Sequence, residues 1–141
     1  MKLLVLDVLL PLGILAALLA CGAFFAASET AFTALTRIQM RQLLKENRPG
    51  AALVQALKNN LDALISTVLV GTNFITTLLS SLATAFTVNV LGPEFVTAAT
   101  AAVSLLVILF SEIIPKTYAS LHVQETALRG AKPLSVLQTL L

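Results

Sequence analysis

The sequence predicts an all-α integral membrane protein with three transmembrane helices, and three observations carry that prediction. Three long stretches hold no charged residue. The charges that exist gather between and after those stretches instead of spreading over a surface. Hydrophobic residues make up 57% of the 141-residue chain and charged residues 11%, where soluble domains carry about 25% charged residues. The length fits one domain, residues 1–141. A net charge of +2 is too small and too localised for nucleic-acid binding. Cys21 is the single cysteine and His122 the single histidine, which excludes an internal disulfide framework and a His/Cys zinc site.

The first span is predicted over 8–36. Val8 to Ser28 gives 21 positions without a charge, enough to cross a bilayer at about 20 residues per helix. Glu29 interrupts, and Thr30 to Thr36 is uncharged again. A rival reading is a cleaved lipoprotein leader, with Lys2 in front and Leu18-Leu19-Ala20-Cys21 as its cleavage box. Asp7 at the start of the apolar run, and Phe24-Phe25-Ala26-Ala27 beyond the box, argue against it.

Residues 37–62 read as a juxtamembrane helical hairpin. Arg37, Arg41, Lys45 and Arg48 recur at helical spacing and would form one basic stripe, with Ile38, Leu43 and Leu44 turned away from it. Asn47-Arg48-Pro49-Gly50 is a turn by residue type. Ala51 to Asn60 then reads as a second short helix. The second span, 63–91, lies in a charge-free run of 31 residues ending at Pro93. Gly71-Thr72-Asn73 and the hydroxyl-rich run Thr76 to Ser81 predict a bent or locally unwound helix. Leu91-Gly92-Pro93-Glu94 is a tight turn. The third span, 95–121, is predicted to break near Pro115, since proline has no N–H to donate. In the tail, 122–141, Gly130 and Pro133 punctuate, and Leu134, Leu137, Leu140 and Leu141 begin an amphipathic helix with Pro133 near its first turn. That pattern stops midway, so the sequence is expected to continue.

Basic residues fix the expected orientation. The hairpin and the tail carry Lys and Arg while the turn between spans two and three carries none, which places hairpin and tail in the cytoplasm and the N-terminus outside. The expected location is the inner or plasma membrane, multi-pass, against anionic headgroups.

Polar residues inside the spans require a reason, because they are expensive there. At about 1.5 Å per helical residue, Glu29 lies roughly 12 Å in from Arg37 and Asn73 roughly 16 Å in from Asp62. Glu112 lies roughly 26 Å from Phe95, across a core about 30 Å thick. The three fall between the midplane and the cytoplasmic side, one per span. Carboxylate, amide and hydroxyl oxygens are hard ligands, suited to Mg²⁺, Ca²⁺ or Na⁺. Broken helices near mid-membrane offer further carbonyls to cations. Each residue also has a structural alternative. Ser28 can bond its own helix, Glu29 can pair with Arg or Lys, Asn73 can hydrogen-bond across helices, and Glu112 can pair with Lys116. No catalytic motif is present, and the chain is not expected to be an enzyme.

At Phe24-Phe25-Ala26-Ala27-Ser28-Glu29-Thr30-Ala31, Val70-Gly71-Thr72-Asn73 and Ser111-Glu112-Ile113-Ile114-Pro115-Lys116, the sequence resembles the transmembrane domain of the CorC/CNNM (cyclin M) family of magnesium transporters. The resemblance covers nearly the whole chain. It implies a homodimer of three-span subunits exporting Mg²⁺ in exchange for Na⁺. It also implies a cation site built by Ser28, Asn73 and Glu112, with carbonyls near Gly71 and the Pro115 break. Glu29 would set the site or receive Na⁺. Many members carry a further asparagine where this chain has Thr76 and Thr77, so the ion or its affinity is open to difference. CBS domains that bind ATP are implied to follow and are absent from this sequence. The competing expectations are a non-transporting Mg²⁺ sensor or scaffold, and a Co²⁺ or broader divalent-cation efflux protein.

Overall fold

A computed structural model describes residues 5–140. Lys2 and Leu141, named above, lie outside the described residues. Three helices are long and apolar enough to cross a membrane, Leu6–Ala34, Leu61–Val90 and Pro93–Leu121, and no strand occurs among the described residues.

Span one opens on a π-helical turn, Val5–Leu9, and continues as α1, Leu10–Ala34, with Pro11 just after the junction. Cys21 sits inside this continuous helix. Leu35 is extended and ends the helix. Thr36 then starts α2 (Arg37–Lys45) with a capping box, its hydroxyl accepting from the Gln39 N–H at 3.1 Å while Gln39 accepts from the Thr36 N–H at 3.0 Å. Asn47 (φ 52°) and Gly50 (φ 88°) take left-handed conformations, which reverses the chain into α3, Ala51–Asn59. Asn60 breaks the helix for one residue before α4, Leu61–Val90.

α4 is one uninterrupted α-helix, without local unwinding at Gly71-Thr72-Asn73. Hydroxyls on either side of that stretch bond back into the helix. Thr67, Thr84 and Thr87 donate to the carbonyls of Ala63, Ser80 and Ala83 at 2.8–3.0 Å. Gly71 serves packing, as shown below.

Span three begins with a 3₁₀ turn, Pro93–Phe95, then α5, Val96–Leu106, a π-helical segment Val107–Ile113, and α6, Ile114–Leu121. The irregularity thus precedes Pro115 and does not sever the helix. The ring of Pro115 cannot return a bond to the Ser111 carbonyl and crowds it. Widening the preceding turns, with the Ile114 N–H reaching the Leu109 carbonyl, lets the helix pass. α7, Val123–Leu140, starts ten residues ahead of Pro133 and runs through both Gly130 and Pro133. The tail helix is therefore longer than the leucine pattern suggested.

The apolar core lies at one end of the molecule, which we call the base. It joins Phe32 and Leu35 of span one, Met40 and Leu43 of α2, Val54 and Leu57 of α3, Leu64 and Val68 of α4, Ala119 of α6, and Ala127 and Leu134 of α7. Of the nine Lys and Arg residues, all but Lys2 belong to segments at this end.

Candidate cation site in the spans

Span one is the axis against which the other two pack, and its small residues set their approach. A Cβ placed on Gly22 would stand 3.2 Å from Ser111 Oγ and 3.8 Å from Ile75 Cγ2. A Cβ on Gly71 would stand 2.7 Å from Phe25 Cζ. Ser111 Oγ donates to the Leu19 carbonyl at 2.9 Å. Glycine and serine permit these contacts in a setting where close packing and interhelical hydrogen bonds hold helices together.

Those contacts fix the heights of the predicted ligands. Asn73 lies between Gly71 and Ile75, hence at the level of Gly22 to Phe25 on span one. Glu112 follows Ser111, hence close to the level of Gly22. The structure therefore brings Asn73 and Glu112 to one height. Ser28 lies six residues beyond Gly22, about 9 Å nearer the base, with Glu29 next to it.

Direction matters as much as height. Gly71 and Ile75 face span one, so Asn73, two residues from each, is turned roughly 160–200° away at 100° per residue. Asn73, Thr76, Thr77 and Glu112 are exposed on the single chain, Glu29 is half-buried, and Ser28 is buried. Ser28 faces α7, where a Cβ on Gly130 would stand 2.6 Å from its Oγ. Among the described residues Arg48 and Glu125 form the ion pair; neither Glu29 nor Glu112 has a basic partner there, Lys116 included.

Glu112 is carried by the π-helical segment, three residues before the buried Pro115. Segments of this kind are frequent at functional sites because the extra residue re-aims side chains and loosens the carbonyl ladder. Among the described residues no three His, Cys, Asp or Glu side chains gather. The oxygen donors exposed in this part of the spans are the Glu112 carboxylate, the Asn73 amide and the Thr76 and Thr77 hydroxyls. Such a set suits a small hard cation that keeps part of its water, as Mg²⁺ does when held by one or two carboxylates.

Several residues were not read as helix contacts from the sequence. Gly22, Phe25, Ser111 and Gly130 decide how the spans approach one another. The available signal was the run of small residues on span one around Gly22, Ala26 and Ala27, a pattern that marks helix contacts without identifying the partner.

Comparison with known proteins gives a consistent result. Residues 13–141 match the profile of the cyclin M transmembrane N-terminal domain. The chain is 34% identical over 120 residues to the UPF0053 inner membrane protein YfjD of Escherichia coli K12, covering 85% of this chain and 28% of that protein. It is 33% identical over 128 residues to a putative DUF21 domain-containing chloroplastic protein of Arabidopsis thaliana, covering 91% and 19%. A UPF0053 protein of Haemophilus influenzae Rd is 30% identical over 109 residues, covering 77% and 26%. The chain thus spans less than a third of the length of these relatives.

Proposed function

The chain belongs to the cyclin M transmembrane N-terminal domain family, and on that premise we propose that it is the membrane part of a Mg²⁺ transporter. The observation that carries this is the carboxylate of Glu112, unpaired among the described residues and presented by a π-helical segment at the height of Asn73. An ionisable side chain inside a span is costly unless it binds or conducts something. Glu112 and Asn73 supply the first contacts, Thr76 and Thr77 lie one turn beyond Asn73, and carbonyls beside Pro115 complete the set. Ser28 joins when α7 moves off it, and Glu29 beside it tunes the charge or receives Na⁺.

The orientation is N-out with the base in the cytoplasm, because the described Lys and Arg belong to base segments. Asn73, Thr76, Thr77 and Glu112 are each exposed on one chain and would be expensive against lipid. A second copy covering them, leaving a water-filled cation path between or beside the subunits, removes that cost. The membrane is the inner or plasma membrane, and transport is export of Mg²⁺ against an inward Na⁺ gradient.

A sensor is the second reading, favoured by one contact. Gly130 of α7 sits on Ser28, so occupancy of the spans would be felt at the base without any flux. Mg²⁺ flux in proteoliposomes with an imposed Na⁺ gradient separates the two. Transport requires flux that depends on Na⁺ and vanishes in Glu112→Gln and Asn73→Ala. Binding without flux would establish the sensor instead. A flux equally fast with Co²⁺ would broaden the substrate to divalent cations.

A further inference from the structure

Between the two hairpin helices at the base lies a cleft of about 540 Å³, within the range of ligand pockets, roughly 300–1,000 Å³. Its polar wall is Thr36, Arg37, Arg41, Gln55, Lys58 and Asn59, over a floor of Met40 and Leu44. Three cationic side chains share it, and no carboxylate lines it among the described residues. Arg37 and Arg41 have no acidic partner among the described residues, whereas Arg48, in the expected basic stripe with them, has left α2 and pairs with Glu125 at 3.0 Å.

Lys58 is placed with more constraint. It is half-buried, and its ammonium donates to the Phe32 carbonyl in the last turns of span one. That end of a helix has carbonyls without intrahelical donors and carries partial negative charge. The bond therefore ties the cleft wall to the point where span one leaves the membrane. Burial also lowers the Lys58 pKa from the usual lysine value, and an anion arriving beside it would offset that effect.

We propose that this cleft binds a phosphate-bearing anion, in the first instance the headgroup of an acidic phospholipid. Arg37 and Arg41, one turn apart on α2, would grip the phosphate oxygens through paired N–H donors. Lys58 would add a third cation, while Gln55 and Asn59 reach the glycerol or headgroup hydroxyls. Position favours a lipid over a soluble phosphate. α2 starts three residues after span one ends, and Ile38, beside Arg37, is 77% exposed, the disposition of a helix lying in the headgroup layer. Such a lipid would anchor the hairpin that the base core joins to spans one and two.

The test compares binding of phosphatidylglycerol and phosphatidylcholine to the purified chain by native mass spectrometry, with inorganic phosphate as competitor. Arg37→Gln/Arg41→Gln is the cleft variant. Arg129→Gln/Lys132→Gln removes the same charge from exposed positions elsewhere. Wild type should prefer phosphatidylglycerol, and the cleft variant should lose about tenfold in affinity while the control does not. Millimolar phosphate that binds alone, or displaces the lipid, with the same loss in the cleft variant, would assign the cleft to a soluble phosphate. Equal losses in both variants would reduce the effect to surface charge and overturn the proposal, as would the absence of binding by either anion.

Discussion

At the base, Phe32, Leu43, Val54 and Leu134 are each fully enclosed, whereas Leu69, Phe74, Leu105 and Phe110 in the spans stand at least half exposed. The same residue types are buried in one region and bare in the other because their surroundings differ. Around the base, apolar surface removed from water contributes roughly 25 cal/mol per Å². Against lipid tails that drive is missing, so the spans rely on close approach and hydrogen bonds, such as Ser111 to the Leu19 carbonyl. The base can thus hold the ends of the spans in place. Higher up, Asn73 and Glu112 stand exposed on the single chain.

Paired substitutions would break this contrast most visibly. Phe32→Ala should cost about 3–5 kcal/mol, and Phe74→Ala, at 64% exposure, less than about 0.5 kcal/mol. Thermal unfolding in detergent followed by circular dichroism measures both. Similar losses would mean that the two regions are not held by different forces.

Gly130→Ala tests the joint between the regions. Its new Cβ would press on Ser28, for a cost of about 1–3 kcal/mol, most of it recovered in Gly130→Ala/Ser28→Gly. A double variant no better than the single would show that the helix-to-span contact is not what makes the glycine necessary.

The smallest effect belongs to the base surface. The Arg48 hydrogen bond, and then its charge, hold the Glu125 carboxyl below its usual range. A folded-state value lowered in this way stabilises above the unfolded value and ceases to do so as pH falls through the folded one. The small melting-temperature difference between wild type and Glu125→Gln should therefore close below roughly pH 4, and also at high salt. A gap that widens in acid would contradict the pair.

The architecture was legible where local chemistry decides it. Charge-free runs gave the spans, and Asn47 to Gly50 gave the hairpin turn. Reading failed where a neighbour decides. Gly71 looked like a hinge because one helix in isolation does not reveal that the Phe25 ring lies over it. Pro133 looked like a helix start because nothing local shows α7 continuing back along span one to seat Gly130 on Ser28. At Pro115, where a break was expected, the helix runs on, and the π-helical turns lie before it, where Glu112 sits. For the candidate site, counting residues along each span set Glu29 beside Asn73 in depth, whereas the packing at Gly22 and Gly71 sets Glu112 beside Asn73 and Glu29 nearer the base. The azimuth of Asn73 and the enclosure of Ser28 could not be read from the sequence, since both depend on which faces meet.

The most direct measurement is Mg²⁺ binding by titration calorimetry on the wild-type chain and Glu112→Gln in nanodiscs. Glu112 is exposed on the single chain and has no basic partner among the described residues, so the variant should melt as the wild type does. It should nevertheless lose at least about tenfold in Mg²⁺ affinity. A variant that folds and binds Mg²⁺ as tightly as the wild type, or a wild type that does not bind it, would contradict a cation site at the π-helical segment.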